Sequence, residues 1–181
     1  MVNLPNTITV FRILCVPVFV NLLIYDRYGY ALAVFLTAVV SDSLDGLIAR
    51  MFNQRSRLGM YLDPLADKML LISAFISLSI LRLVPIWLTT IVVSRDLILA
   101  VGTLLFHLLA LHVDIHPSWL GKVTTAMQFG YIILMLAAEP LALDKAVIAP
   151  AVFVVAAATI GSGLHYLWRG ARMIRAEPAV R

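Results

Sequence analysis

Four aspartates lie close together in two neighbouring apolar stretches of the sequence. Asp42 and Asp45 are three residues apart, and Asp63 and Asp67 are four residues apart. Either spacing places both carboxylates of a pair on one face of a helix. Four converging carboxylates cannot all stay ionised without cations, so the spacing predicts an all-oxygen site with enough ligands for two hard divalent ions, Mg²⁺ or Mn²⁺. Two such ions suit in-line displacement at phosphorus, which makes phosphoryl-type transfer the predicted chemistry.

Small residues recur one helical turn from these carboxylates and leave space for a ligand beside them: Gly46, Ala49 and Gly59. Tight helix packing is the alternative explanation for these small side chains. Arg50 follows the first pair and has the geometry to hold a phosphate through two hydrogen bonds, although an anchor at a membrane interface is its alternative role.

The composition indicates which elements position these residues. The 181-residue chain is 62% hydrophobic and 13% charged, with a mean hydropathy of +0.97. A soluble domain is about a quarter charged, so a water-soluble globular domain is excluded. The apolar runs are continuous, which also argues against a membrane barrel with its alternating strands. We predict a single all-α polytopic membrane domain over residues 1–181, with six transmembrane helices near Thr7–Ile24, Tyr30–Arg50, Gly59–Leu81, Pro85–Leu111, Pro117–Ala138 and Ala146–Trp168.

The second and third predicted helices carry the two aspartate pairs at matching depth. Measured from Arg50 and Gly59, one member of each pair lies roughly 6 to 7 Å inside its helix and the other roughly 12 Å inside. The loop between them is short, so the helices are expected to be antiparallel neighbours. One aspartate at the centre of a membrane helix costs roughly 2.5–3.5 kcal/mol, so four in one hairpin require a compensating cation or a water-filled cavity.

Basic residues mark one side of the predicted membrane domain. They cluster around the loop between the aspartate pairs and in the tail, at Arg50, Arg55, Arg57, Arg169, Arg172, Arg175 and Arg181. The positive-inside rule therefore predicts that both termini and the aspartate hairpin face the cytoplasm. The formal net charge of +4 favours anionic membrane lipids over nucleic acid as a partner. Because the first apolar run lacks a cleavage pattern, we expect an uncleaved first span in a bacterial cytoplasmic (inner) membrane.

The chain resembles the CDP-alcohol phosphotransferase family. Every fixed position of the family signature is present with its spacing: Asp42, Asp45, Gly46, Ala49, Arg50, Gly59, Asp63 and Asp67. The opening Leu4-Pro5-Asn6-Thr7 before Arg12 is typical of bacterial members. The resemblance implies Mg²⁺- or Mn²⁺-dependent transfer of a phosphatidyl group from CDP-diacylglycerol to an alcohol, with release of CMP. It also implies a homodimer, since family members commonly dimerise.

The resemblance assigns roles to the signature residues. Asp42, Asp45 and Asp63 would hold the metals, while Asp67 would complete the second metal site and take the proton of the acceptor. The CDP-lipid would be bordered by Asp42, Asp45, Gly46, Ala49, Arg50, Gly59, Asn6 and Ser56. Independently of the family, a nearby metal lowers the pKa of a hydroxyl group, so a carboxylate of modest basicity suffices as the base.

The acceptor alcohol has two candidates within the family. The segment Pro117–Thr125 with Gln128 resembles phosphatidylglycerophosphate synthases, which predicts glycerol 3-phosphate as the acceptor. Many of those enzymes carry a second Lys where this chain has Thr124, and the Ser94-Arg95-Asp96 pattern is similar to cardiolipin synthases, which use phosphatidylglycerol. The candidate acceptor-binding residues are Lys122, Thr125, Arg95 and Arg169. Interface anchoring is the alternative for Lys122 and Arg169, and a structural ion pair near Asp96 is the alternative for Arg95.

A cation transporter is the alternative of a different class, since four carboxylates could also bind ions in transit. Such a protein needs polar residues along a route to the far side of the membrane. On that side the basic residues are only Arg27, Arg82 and Lys145. The sequence therefore favours the enzyme.

Overall fold

The computed structural model describes residues 4–51, 57–108 and 119–176, and it describes the side chains of residues 9–41, 66–103, 119–144 and 148–172. Over these ranges the chain forms six α-helices, which confirms the predicted all-α class and the number of helices. They are α1 (Leu4–Ile24), α2 (Tyr28–Met51), α3 (Arg57–Ile80), α4 (Ile86–Leu108), α5 (Trp119–Ala138) and α6 (Lys145–Ala176).

The helix ends differ most from the predicted spans at α1 and α6. α1 begins at Leu4, because a proline in the first turn of a helix, here Pro5, costs no hydrogen bond. α6 continues past Trp168 to Ala176. The apolar run ends where the predicted span ends, but Arg, Met and Ala are good helix formers and keep the backbone helical beyond it.

Three described helices end in the same way, with a non-glycine residue in the left-handed conformation. The φ angles are 54° at Asp26 after α1, 59° at Arg82 after α3 and 48° at Ala142 after α5. At the end of α1, the amide of Asp26 donates to the carbonyl of Leu23 and the amide of Arg27 donates to the carbonyl of Leu22. This is the Schellman arrangement, which satisfies the last carbonyls of a helix and turns the chain sharply.

The described helices group into two compact units. The first comprises Met1–Val84 and Ile132–Val147, and therefore contains α1, α2, α3 and the end of α5. In this unit α1 packs against both α2 and α3. The rings of Phe19 on α1 and Phe35 on α2 lie 5.6 Å apart between centroids. Buried residues of α3 recur every three or four positions and form its inner face: Ala66, Leu70, Leu71, Ala74, Phe75 and Leu78.

The second unit comprises Pro85–Tyr131 and Ile148–Arg181, with α4, the first part of α5 and α6. Polar side chains join its helices. Gln128 Nε2 on α5 donates to Thr159 Oγ1 on α6 at 3.0 Å, and the hydroxyls of Thr103 on α4 and Tyr166 on α6 lie 3.1 Å apart. Hydrogen bonds of this kind are typical of contacts between helices in membranes.

Length and composition identify membrane-spanning candidates among the described residues. Three segments are long and apolar enough to cross a bilayer: Ile86–Thr103, Trp119–Ala138 and Ile148–Arg172. Thr9–Ile24 and Tyr28–Ser41 are shorter apolar helical segments. The multi-pass membrane character is thereby supported, while six spans, the cytoplasmic termini and a single domain stay predictions.

Candidate active site

The helix boundaries place the two aspartate pairs at similar depths. Asp45 and Asp63 each lie six residues inside a helix, counted from Met51 at the end of α2 and from Arg57 at the start of α3. Both are therefore roughly 9 Å from those helix ends along the axis, and Asp42 and Asp67 are roughly 14 and 15 Å from them. Of these four side chains the structure describes only Asp67, so the convergence of the four carboxylates stays a prediction.

The residues expected beside the CDP-lipid lie mostly at helix ends. Gly46, Ala49 and Arg50 belong to the end of α2, Gly59 to the start of α3 and Asn6 to the start of α1. Their side chains lie outside the described set, and Ser56 lies outside the described residues altogether. Their contacts with a CDP-lipid stay predictions.

Arg12 on α1 forms an ion pair with Asp67 on α3. Its Nη1 donates to Asp67 Oδ1 at 2.8 Å. The Arg12 side chain is fully buried, whereas 35% of the Asp67 side chain is exposed. One of the four acids is thus stabilised by a protein cation, while part of its surface stays accessible.

The ion pair is not predicted from the sequence, where Arg12 is considered only as part of the motif near the N-terminus. The signal that could have found it is positional. Arg12 is the only Lys or Arg in the first 25 residues, and it lies inside an apolar helix. An arginine in such a position requires an acidic partner or water.

The acceptor candidates belong to the second unit. Lys122 is exposed on the first turns of α5, and Thr125 is half-buried with its hydroxyl donating to the carbonyl of Gly121 at 3.1 Å. Arg169 is half-buried near the end of α6. Their acceptor roles stay predictions.

Arg95 lies in a buried polar cluster between α4 and α6. Its Nη1 pairs with Asp96 Oδ1 at 2.8 Å, and its Nη2 donates to Ser162 Oγ at 2.8 Å. The exposed fractions of the Arg95 and Asp96 side chains are 6% and 2%. Arg95 therefore forms an ion pair of the structural kind, which is the alternative to acceptor binding. Its role in binding the acceptor stays a prediction.

The donor set of the aspartate hairpin fits a hard divalent cation. All four side chains are carboxylates, the oxygen ligands that Mg²⁺ and Mn²⁺ prefer. The accessible surface of Asp67 leaves that carboxylate able to contact an ion. Within the described part of the chain no three His, Cys, Asp or Glu residues form a metal-binding group, but that part excludes the side chains of Asp42, Asp45 and Asp63.

A family model described as CDP-alcohol phosphatidyltransferase matches residues 2–163. The chain belongs to the CDP-alcohol phosphatidyltransferase family. The matched region contains all four aspartates and five of the six helices completely, so the resemblance carried by the signature residues is confirmed.

Curated relatives from both enzyme groups indicated by the sequence match this family member. A probable phosphatidylglycerophosphate synthase of Mycobacterium tuberculosis is 35% identical, over 95% of this chain and 83% of that protein. The CDP-diacylglycerol--glycerol-3-phosphate 3-phosphatidyltransferase of Escherichia coli K12 is 31% identical, over 91% of this chain and 93% of its own. Human cardiolipin synthase (CMP-forming) is 36% identical, over 75% of this chain and 50% of its own. The predicted assignment of the chain to the phosphatidyltransferases is therefore confirmed.

Proposed function

We propose that this phosphatidyltransferase moves the phosphatidyl group of CDP-diacylglycerol to glycerol 3-phosphate at the cytoplasmic face of a bacterial inner membrane. The observation that carries the choice of acceptor is the extent of the matches. The relatives named for glycerol 3-phosphate or phosphatidylglycerophosphate align over 83% and 93% of their own length, and the human cardiolipin synthase over 50%. Family membership also favours the enzyme over the cation transporter considered from the sequence.

In the proposed reaction the acceptor hydroxyl oxygen forms a bond to the phosphorus that carries the diacylglycerol. The bond between that phosphorus and the CMP oxygen breaks, and CMP leaves. Asp67 takes the proton of the acceptor hydroxyl, and its exposed fraction allows the proton to pass on to water. Two Mg²⁺ or Mn²⁺ ions held by Asp42, Asp45, Asp63 and Asp67 would supply charge neutralisation at the transferring phosphate and lower the pKa of the acceptor.

The other predicted site residues bind and orient the substrates. Gly46, Ala49 and Gly59 leave space beside the carboxylates for the cytidine diphosphate, together with Asn6 and Ser56. Arg50 compensates the diphosphate charge. Lys122, Arg95 and Arg169 are the candidate cations for the phosphate of the acceptor, with Thr125 as a further polar contact.

Cardiolipin synthesis, with phosphatidylglycerol as acceptor, is the second candidate, and Thr124 favours it. This side chain is 1% exposed; its hydroxyl donates to the carbonyl of Leu120 at 2.8 Å and lies 3.2 Å from the carbonyl oxygen of Ala158 on α6. The position at which many phosphatidylglycerophosphate synthases carry a second Lys is therefore a packing position between α5 and α6 here. One cation fewer is then available for a phosphate.

An acceptor panel tests both candidates. The purified protein in detergent, with Mn²⁺ and CDP-diacylglycerol, is incubated with glycerol 3-phosphate, phosphatidylglycerol, inositol phosphate or serine, and CMP release is measured. We expect release with glycerol 3-phosphate. Release with phosphatidylglycerol alone would establish the second candidate, and release with none of the four would contradict the proposed transferase activity. Light scattering of the same preparation tests the homodimer that the family resemblance implies.

A further inference from the structure

We propose that Arg12 is a positioning residue that fixes the orientation of Asp67 for metal binding and proton transfer. The inference rests on the proposed function, because it concerns how one of its four aspartates is held. It adds a residue from α1 to a site whose signature lies entirely on α2 and α3.

The ion pair has the geometry of an orienting contact. Nη1 of Arg12 lies 2.8 Å from Oδ1 of Asp67, a short charge-assisted hydrogen bond. The two residues are 55 positions apart in sequence, so the contact ties α1 directly to the carboxylate. The contact uses Nη1 of a planar guanidinium, so the direction of this donor is fixed once the side chain is buried, whereas a lysine ammonium can rotate about its last bond.

The surroundings of the pair restrict its movement. Arg12 has no exposed surface, and Thr9 one turn before it is equally buried. On α3, Ala66 precedes Asp67 and Leu70 lies one turn later, with exposed fractions of 0% and 1%. Because the surrounding packing is close, the Arg12 side chain has little freedom to follow a moving carboxylate. The exposed 35% of the Asp67 side chain stays accessible to substrate and metal.

Depth along the helices agrees with this role. Arg12 lies eight residues from Leu4 at the start of α1, and Asp67 lies ten residues from Arg57 at the start of α3. These separations correspond to roughly 12 and 15 Å along the two axes. Arg12 and Asp67 are thus at similar depths along their helices, as their ion pair requires.

A role in charge compensation alone predicts a different outcome from a role in positioning. If Arg12 acted only through its charge, Arg12→Lys would replace it fully. Moreover, removing the positive charge with Arg12→Gln would tighten the binding of Mn²⁺, because a cation near the metals repels them. If Arg12 positions Asp67, both substitutions leave the carboxylate less well oriented, and both weaken Mn²⁺ binding.

The experiment measures Mn²⁺ binding directly. Purified wild-type protein, Arg12→Gln and Arg12→Lys are titrated with Mn²⁺ in detergent, and the electron paramagnetic resonance signal of free Mn²⁺ gives the affinity. We expect a loss of affinity of about 10-fold or more for Arg12→Gln and a smaller loss for Arg12→Lys, since partners that orient metal ligands typically contribute 10–100-fold. In an Asp67→Asn background, Arg12→Gln should leave the affinity unchanged, because its effect passes through Asp67.

Kinetics with the best acceptor of the panel supply a second readout. We expect kcat to fall in both Arg12 variants while the KM for CDP-diacylglycerol stays within about twofold, since Arg12 is not placed among the residues beside the CDP-lipid. Cys15→Ala, a change at a buried residue of the same helix, is the matched control and should leave both constants unchanged.

Tighter or unchanged Mn²⁺ binding in Arg12→Gln overturns the proposal, and so does full recovery of affinity and kcat in Arg12→Lys. If Arg12→Gln does not fold, Arg12→Lys alone decides. Failure of the proposed function is recognised separately. In that case wild-type protein releases no CMP with any acceptor, while the Mn²⁺ titrations still report on Arg12.

Discussion

Asp67 is the aspartate of the signature whose side chain the structure describes, and it pairs there with Arg12. The spacing of the four acids predicts which residues share a helix face, because helical periodicity is local. The partnership of Asp67 with Arg12 across 55 residues has no local signature and depends on how α1 packs against α3. The sequence therefore predicts which acids share a helix face. The position of Arg12 inside an apolar helix indicates that it needs an acidic partner or water, but not which acid that partner is.

Replacing the proposed base separates proton transfer from nucleotide binding. Asp67→Asn removes the proton acceptor and one metal ligand, while Asp42, Asp45, Asp63 and Arg50 remain. We expect transfer to be abolished and CDP-lipid binding to stay close to wild type. The measurements are CMP release and binding of a labelled CDP-lipid, with Asp45→Asn as the comparison. If Asp67→Asn weakens CDP-lipid binding as much as Asp45→Asn does, Asp67 is chiefly a metal ligand.

The pairing of Arg95 shows a limit of periodicity arguments. Adjacent residues on a helix do not face each other, so sequence reasoning looks for the partner of Arg95 among the helix neighbours of Asp96. In the structure the long arginine side chain bends back to Asp96 itself and also reaches Ser162 on α6. Side-chain length, which no periodic pattern records, decides the contact.

Removing this arginine should destabilise the second unit. Arg95→Met leaves the Asp96 carboxylate buried beside an uncharged side chain, and breaking a buried ion pair typically costs about 3–5 kcal/mol. We expect a clearly lower denaturation midpoint in detergent, with partial recovery in the double variant Arg95→Met/Asp96→Leu. An unchanged midpoint together with a large rise in the KM for the acceptor would instead support the acceptor role.

At the scale of elements, the apolar runs predict the order and approximate length of all six helices, but not how they end. Three ends place Asp26, Arg82 or Ala142 in the left-handed region, where glycine is the usual residue. A prediction that relies on glycine as the stop signal misses these turns. The Schellman hydrogen bonds and the short connections impose the conformation despite the side chains.

Glycine at one of these ends should stabilise the protein. A non-glycine residue in the left-handed conformation costs roughly 1 kcal/mol, so Ala142→Gly should raise the free energy of unfolding by about that amount. The exposed Ala126 in the regular part of α5 is the matched control, because Ala126→Gly should lower the same quantity by up to about 1 kcal/mol. Denaturant titration of both variants in detergent measures the difference, and equal effects of the two substitutions would contradict the argument.

For the whole molecule, composition predicts the membrane class more firmly than it predicts the number of spans. Within the described residues, the three segments that qualify as spans lie on α4, α5 and α6. The apolar runs of the sequence predict that α1, α2 and α3 also cross the membrane. The orientation of these helices is predicted from the distribution of basic residues.

That distribution makes a prediction about topology that thiol labelling can test. Cys15 is the only cysteine of the chain and is buried, so Cys15→Ala provides a background without reactive thiols. Two exposed positions lie on sides that the positive-inside rule assigns oppositely: Leu141 after α5 and Arg172 near the end of α6. In intact cells we expect a membrane-impermeant maleimide to label Leu141→Cys. We expect it to label Arg172→Cys only after the membrane is permeabilised.

Two other labelling results would contradict this topology. Because α6 separates these two positions, labelling of both in intact cells would show that α6 does not cross the bilayer. Labelling of Arg172→Cys alone would invert the predicted orientation and place the aspartate hairpin on the opposite face.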